Sequence, residues 1–376
     1  MTARPATQLV ETDSSRDSLL DILSGHDRVA LDTEFHAERR YKPELMLVQV
    51  AVDSGEAWAI DPLKVDVGPV ARALAEKVVL VHSGQVDIML MADEADCAFN
   101  QVVDVQVGGG MLGMGYPTRL DTLVSNILNR PLSKGPTLSD WSSRPLKPAQ
   151  IAYAVADAQV LFPLADAMAD ALERAGRWDW VLEESIRLAH QASEGPVIEQ
   201  AWTNWDIAPR LDESTRRVLT VLYHWRDQQG RDKNQPPHFI LSDGLCLDIA
   251  RRKPKSLAAL TENRRIPQGL VRRLGQSMVD VVKWALENSP PLPFVPTEEQ
   301  AEQARAIDLW ARAVGQQLDV APGLLLPVGT SAAVAARGAE ALTGWRARLL
   351  EEPLEAFMTG RSALYYSASG AELRPV

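Results

Sequence analysis

Residues Val29 to Phe35, VALDTEF, form an apolar run interrupted by two acids. A short run of this kind reads as a buried strand. Asp32 and Glu34 are two apart, so both side chains leave one face, while Leu31, Thr33 and Phe35 leave the other. The fold must therefore cover this strand with apolar neighbours and still accommodate two adjacent carboxylates. Like charges at that spacing repel, and a cation between them relieves the repulsion. A D-x-E on a strand is by itself more often a solvated edge, so context has to carry the argument.

Two further segments supply that context. Asp87 follows the apolar strand VVLVH and opens a helical stretch, DIMLMADEA. An acid in a first helical turn is favoured by the helix dipole, so Asp87 alone is no more than a cap. Tyr153 and Asp157 are four apart in PAQIAYAVADAQVLFPLADAMADALERAG, a segment of strong helical character, which places them on one face and one turn. Taken together, Asp32, Glu34, Asp87 and Asp157 are four acids arriving from three elements. Phosphodiester cleavage assisted by two divalent ions needs such converging carboxylates. Mg²⁺ takes hard oxygen ligands and keeps some water, so a few carboxylates and the substrate phosphate suffice.

With the motifs on the page, the chain resembles the ribonuclease D family, 3′-to-5′ exoribonucleases of the DEDD superfamily. The stretch LDTEFHAERRYKPELMLVQVAV is similar to that family's first motif through its length. HSGQVD, with His82 five residues before Asp87, is similar to the second. LSDWSSRPLKPAQIAYAVADAQVL is similar to the third. Tyrosine rather than histidine stands four residues before the last acid, which implies the tyrosine subgroup. Two departures stand beside these motifs. His36 replaces a residue that is usually apolar or small, and VDVQVGGGMLGMG is glycine-rich where relatives carry a helix of small residues. The second segment contains a literal G-x-G-x-x-G, but the residues after it read as helical and then proline-rich. A dinucleotide fingerprint is therefore disfavoured, and flexible backbone is the expectation there.

At 376 residues, two or three domains are expected. The N-terminus MTARPATQLVETDSS has no apolar signal core, and no apolar run approaches the roughly 20 residues of a membrane span. With only Cys97 and Cys246 as cysteines, a cytoplasmic protein without a disulfide framework is the expectation. The net charge of −11 argues at first against a nucleic-acid partner, but its distribution reverses that. Residues 1–195 carry 17 Lys and Arg against 29 Asp and Glu, whereas residues 210–290 carry 15 against 9. A basic module flanked by acidic segments suits a phosphate backbone, although a solvated helical surface has the same composition.

The first domain, residues 1–200, reads as strands near Val29–Phe35, Leu45–Val52, Ala57–Ile60, Val78–His82 and Gln101–Val105. Helices are expected between and after them. The family resemblance implies an α/β ribonuclease H-like exonuclease domain, a mixed sheet flanked by helices, followed by two small all-α HRDC-type domains. Residues 210–290 resemble the HRDC module through Trp225, Arg226, Arg231, Pro237 and Leu241. After the proline-dense linker NSPPLPFVP, residues 297–372 resemble a second, diverged HRDC-like unit through GWRARLLEEPLEAF. All motif acids lie upstream of residue 205, so a chain ending there is expected to keep the hydrolytic step.

The resemblance implies hydrolysis from a free RNA 3′ end to nucleoside 5′-monophosphates, with transfer-RNA precursors as substrates and two divalent metal ions, Mg²⁺ or Mn²⁺. Asp32 would bridge both ions, Glu34 and Asp157 would hold the first, and Asp87 the second. A phenol titrates near ~10, so Tyr153 suits orienting the attacking water better than acting as base. Arg39, Tyr41, His82, Arg226, Arg251 and Arg252 are the candidates for nucleic-acid contact. Arg39 and Tyr41 could equally pin a loop, and His82 could position Asp87. Trp141 and Arg144 are expected to fix the loop before the third-motif helix. Three other readings stay open: a DNA exonuclease of the same superfamily, a nucleic-acid-binding scaffold without turnover, and a regulatory protein whose HRDC modules bind proteins. The 2′-hydroxyl that separates RNA from DNA is contacted by no identifiable residue of the sequence.

Overall fold

A computed structural model describes residues 7–132, 140–195, 197–367 and 370–376. The first six residues of the N-terminal stretch, and Leu138 and Ser139 at the head of the third motif, lie outside the described residues. In chain order the first elements are β1 (Thr7–Val10), α1 (Asp13–Leu23), β2 (Arg28–His36), β3 (Glu44–Val52), β4 (Ala57–Ile60), α2 (Gly68–Ala75) and β5 (Val78–Val81). Then come α3 (Gln85–Ala95), β6 (Val102–Asp104), α4 (Val105–Met111), α5 (Leu120–Leu128), α6 (Pro148–Gln159), α7 (Leu161–Arg174) and α8 (Trp178–Glu194). The helices α9 (Gln200–Thr203), α10 (Glu213–Lys233), α11 (Pro237–Ile240), α12 (Asp243–Arg252), α13 (Leu257–Thr261) and α14 (Gln268–Asn288) come next. The chain ends with α15 (Glu298–Leu318), α16 (Pro322–Leu325), α17 (Thr330–Arg337), α18 (Gly344–Met358) and the hairpin β7 (Ser362–Ser367) and β8 (Gly370–Pro375).

These elements divide into two compact units. Unit 1 comprises Met1–His36, Leu45–Gly195 and Ala304–Val376, and unit 2 comprises Ala37–Glu44 and Pro196–Gln303. Unit 1 is built on a mixed six-stranded sheet in the order β1-β4-β3-β2-β5-β6. β3 and β4 pair antiparallel, while β2 pairs with β5, and β5 with β6, in parallel. The alternation in β2 sorts its side chains to two cores. Val29 and Leu31 join one with Leu19 and Leu23 of α1, Leu74 of α2, and Ile88 and Met91 of α3. Ala30 joins the other, with Ala154 and Ala158 of α6 and Leu161 and Leu164 of α7. Asp32 and Glu34 have the parity of Ala30, so they leave the sheet on the α6 side.

Pro148–Arg174 is long and apolar enough to cross a membrane by length and composition, contrary to the sequence expectation. It is not continuous, dividing at Val160 into α6 and α7, and half of its apolar window is buried inside unit 1. Core helices pass the same test, and these two cover the sheet.

The glycine run also departs from expectation. Gly108, Gly109 and Gly110 form the buried middle of α4, not flexible backbone. A Cβ at Gly109 would lie 2.5 Å from a Leu123 methyl, and one at Gly110 would lie 2.5 Å from a Leu324 methyl. The glycines are there because neighbouring side chains approach the helix backbone closely.

One such neighbour, Leu324, belongs to the C-terminal segment, which is no separate body. Trp310, Leu324, Leu325, Trp345, Leu350 and Leu354 are buried in the same core as α4 and α6–α8. The Ala321 N–H donates to the Gly110 carbonyl at 2.8 Å, and Arg177 Nη1 donates to the Met111 carbonyl at 2.7 Å and the Asp319 carbonyl at 3.0 Å. Arg346 forms a buried ion pair with Glu184 of α8 at 2.6 Å, and the rings of Trp180 and Trp345 stack at 5.3 Å. A chain ending near residue 205 would expose this core, so the expectation that it keeps a working hydrolytic site is corrected.

Unit 2 has its own core, in which Trp202, Leu219, Leu222, Tyr223, Ile249, Met278 and Val282 are buried. Asp212 caps α10 by accepting from the Thr215 N–H at 2.9 Å.

Candidate active site

Three elements of unit 1 bring the motif side chains together. β2 delivers Asp32 and Glu34 from one face and Thr33 from the other. Thr33 is nearly buried, and its hydroxyl donates to Asp87 Oδ1. The strand thus presents two carboxylates directly and orients a third.

Asp87 lies in the first turn of α3, whose approach is fixed by a residue that sequence reasoning missed. Asp104, at the end of β6, is buried and accepts from the Ser83 N–H at 2.9 Å and the Gly84 N–H at 3.3 Å. A Cβ at Gly84 would overlap the Val81 side chain, so the turn closes too tightly for any other residue. The backbone N–H of Asp104 donates in turn to the Ser185 hydroxyl of α8 at 3.0 Å. No signal in the second motif marks Asp104, because it acts from another strand.

Tyr153 and Asp157 share one face of α6, with the tyrosine hydroxyl near enough to the carboxyl to lower its pKa. The start of α6 is anchored as expected by Arg144. Its guanidinium holds Asp61 through Nε at 2.7 Å and Nη2 at 2.8 Å, and it donates to the carbonyls of Trp141 at 2.6 Å and Met46 at 2.9 Å. Asp61 is fully buried and is the partner the sequence did not reveal.

The electrostatics are those of crowded carboxylates, with Asp87 buried and Asp32, Glu34 and Asp157 half-buried. Burial, and then the charges of Asp87, Asp157 and Glu34, hold Asp32 well above the usual carboxylate range. Burial, with Asp157 and Asp87, pushes Glu34 up to about 7. Burial pushes Asp157 up to about 6, against the nearby Tyr153 hydroxyl, and Asp87 up to about 6, against the bond from Thr33. The Tyr153 phenol is pushed up to about 12 by burial and then by Asp157.

Among the described residues, no group of three or more His, Cys, Asp or Glu is arranged to hold a metal ion as it stands. Asp87 is instead turned onto the Thr33 hydroxyl. The donor chemistry nevertheless fits a hard divalent cation. All the donors are carboxylate oxygens, their mutual repulsion favours added positive charge, and Asp157 Oδ1 is buried without a hydrogen-bond partner.

The candidates for nucleic-acid contact separate. Arg39 is exposed and has no ion pair among the described residues. Arg251 is exposed at the end of α12, and Arg252 beside it is exposed while reaching Asp248 at 3.3 Å. His82 is half-buried, with Nε2 2.9 Å from the Thr118 carbonyl, which fits the positioning alternative. The Tyr41 hydroxyl is engaged by Asp227 at 2.8 Å. Arg226 requires correction. It is buried in unit 2, its Nη1 donating to the Leu241 carbonyl at 2.9 Å and to Asp243 at 2.6 Å, so its guanidinium holds that unit together and offers no edge to a phosphate.

Comparison with known proteins bears on family and fold. A 3′-5′ exonuclease family model matches residues 7–173, and an HRDC domain model matches residues 215–282. Ribonuclease D of Acidiphilium cryptum is 30% identical over 389 residues, an alignment covering 96% of this chain and 95% of that protein. Ribonuclease D of Gluconacetobacter diazotrophicus is 32% identical over 289 residues, covering 75% of this chain and 72% of that protein. The crystal structure of Escherichia coli RNase D, an exoribonuclease involved in structured RNA processing, superposes with a TM-score of 0.81. It covers 94% of this chain and 99% of that one at 23% identity, a likeness of fold.

Proposed function

The chain belongs to the ribonuclease D family, and from that premise we propose that Asp32, Glu34, Asp87, Asp157 and Tyr153 are the machinery of its 3′-5′ exoribonuclease activity. The protein is a hydrolase with an exonuclease domain of mixed sheet and flanking helices, followed by an HRDC helical domain. The observation that carries the site assignment is the crowding of Asp32 by three other carboxylates, with one oxygen of Asp157 left buried and unpaired.

The activity of this family depends on metal. Asp32, Glu34, Asp87 and Asp157 would hold the ions, for which we propose two Mg²⁺ or Mn²⁺. When bound, such ions supply Lewis acidity at the scissile phosphate and its attacking water. The remaining work falls to the chain. The Tyr153 phenol, held protonated up to about 12, acts as a hydrogen-bond donor and acceptor that orients water and not as a base. Thr33 holds one oxygen of Asp87, and Asp104 holds the turn before it. The substrate is proposed to be RNA with a free 3′ hydroxyl, transfer-RNA precursors among them, acted on in the cytoplasm and released as nucleoside 5′-monophosphates. Arg39, Arg251 and Arg252 are proposed contacts for its backbone. We also propose that residues 1–200, 210–290 and 297–372 are separate evolutionary modules, the last of them packed into the core of the first.

The test is turnover of 3′-hydroxyl RNA and matched DNA by the wild-type protein and by Asp32→Asn. The amide keeps the shape and loses the charge, so the rate should fall by far more than tenfold with the fold unchanged. Retention of more than about a tenth of the wild-type rate would sink the assignment. Equal hydrolysis of DNA would favour the DNA-exonuclease reading.

A further inference from the structure

The residues immediately after the catalytic strand belong to the helical unit. β2 ends at His36, two positions after Glu34, and Ala37–Glu44 packs as part of unit 2. Tyr41 is the anchor. Its hydroxyl donates to Asp227 Oδ1 at 2.8 Å, and its backbone N–H donates to Asn234 Oδ1 at 3.2 Å. Arg231 Nε donates to the other oxygen of Asp227 at 2.9 Å, and its guanidinium lies 5.2 Å from the centre of the Tyr41 ring. Asp227 is only 7% exposed, so its two bonds satisfy a carboxylate held out of water.

The backbone of α10 is shaped for the same contact. A Cβ at Gly230 would lie 3.1 Å from Tyr41 Cδ2 and 2.8 Å from the Gln235 carbonyl. Asn234, in the left-handed conformation that caps α10, places its amide against the Tyr41 backbone. Asp227, Gly230, Arg231 and Asn234 thus engage one tyrosine through its ring, hydroxyl and backbone. Within the same segment Arg40 is paired with Glu44 at 2.6 Å, while Arg39 is exposed and has no ion pair among the described residues. The segment is held by one side chain and offers another.

We propose that Tyr41, Asp227 and Arg231 are positioning residues for the exonuclease reaction. They fix the segment after Glu34, so that Arg39 meets the RNA backbone from one place. The helical unit then contributes to substrate binding through this latch as well as through its exposed arginines. This rests on the reading of RNA as substrate.

The experiment uses the full chain with Tyr41→Phe, Asp227→Asn and the double variant, and two readouts. The first is the steady-state hydrolysis of a 3′-hydroxyl oligoribonucleotide. Each single change should raise KM by about three- to tenfold, the worth of one hydrogen bond, with kcat within about twofold. The double variant should be no worse than either single, because both break one latch. The second readout is the rate of tryptic cleavage after Arg39 and Arg40, which should rise in all three variants. Tyr41→Phe removes one atom and leaves the ring packed, so it guards against misfolding in Asp227→Asn. If Tyr41→Phe raises KM while Asp227→Asn does not, or if their effects multiply, Tyr41 touches RNA on its own account and the latch is refuted. Unchanged cleavage after Arg39 and Arg40 refutes it as well. Absence of RNA turnover by the wild type would defeat the RNA reading, and the cleavage rates would still decide the latch.

Discussion

Glu184→Gln should weaken the catalytic unit by an amount that depends on pH in a specified direction. Glu184 is 1% exposed and accepts from Arg346 Nη1 at 2.6 Å, Arg346 Nη2 at 2.8 Å, Arg187 Nη2 at 2.6 Å and Trp345 Nε1 at 3.2 Å. Burial alone would raise its pKa, but the bonds and charges of Arg346 and Arg187 outweigh it and bring the carboxyl down from 4.5 to about 2. A folded value below the unfolded one means stability that is fully present above about 4.5 and is lost as pH falls toward 2. The difference corresponds to about 3 kcal/mol at pH 7, and roughly 2 kcal/mol of it should be gone by pH 3. The amide variant lacks this titration and leaves Arg346 buried beside a neutral partner.

Urea unfolding followed by tryptophan fluorescence includes this region, where two of the ten tryptophans, Trp180 and Trp345, stack at 5.3 Å. The gap between wild type and Glu184→Gln should be about 3 kcal/mol at pH 7 and roughly 1 kcal/mol at pH 3. A gap below about 1 kcal/mol at pH 7, or one that does not shrink with acid, would refute the reasoning. The change should also reach the site. Ser185, next to Glu184, supports Asp104, and Asp104 holds the turn that leads into Asp87. A moderate fall in kcat is therefore expected well below denaturing conditions.

Three other outcomes are expected. Tyr153→Phe should lower the hydrolytic rate by roughly 10²–10⁴ with metal dependence little changed, and an unaltered rate would show that the Tyr153 hydroxyl takes no part in the reaction. Thr33→Val keeps the shape of the buried side chain and removes its bond to Asp87, so kcat on RNA should fall about tenfold; a wild-type rate would show that Asp87 needs no help from the strand. Changing Arg251 and Arg252 to Ala should weaken RNA binding and lower the slope of log K against log salt by about 0.7 for each phosphate no longer neutralised, and an unchanged slope would show that this surface faces something else.

The local features of this chain were legible in its sequence, and the features made by pairs far apart were not. The spacing of Asp32 and Glu34 stated which face of β2 they share, and the spacing of Tyr153 and Asp157 stated which turn of α6 they share, because both periods are properties of the backbone. Asp104 and Asp61 carry no such period. Each is buried at the end of a strand and is recognisable only through its partners, the Ser83–Gly84 turn for one and Arg144 for the other. Composition misled where burial decided. Arg226 added to the positive balance of residues 210–290, yet its guanidinium is internal to unit 2. The glycines of α4 suggested loose backbone, yet they are where side chains from α5 and the C-terminal segment press closest.

The same contrast explains the C-terminal segment. Its helical pattern and its proline-dense leader read as an independent module, and nothing local contradicts that. The contradiction lies in Arg346 meeting Glu184 across 162 residues, and in Trp310, Leu324 and Trp345 joining a core with the helices that cover the sheet. A buried ion pair broken from one side leaves the other charge uncompensated. Removing the segment takes away both Arg346 and Trp345, so Glu184 would keep only Arg187 of its three partners. Having every motif acid upstream of residue 205 therefore does not make the upstream chain sufficient. The carboxylates are placed by α3, α6 and β2, those elements are packed by α4, α7 and α8, and α4 and α8 are closed by residues beyond 304.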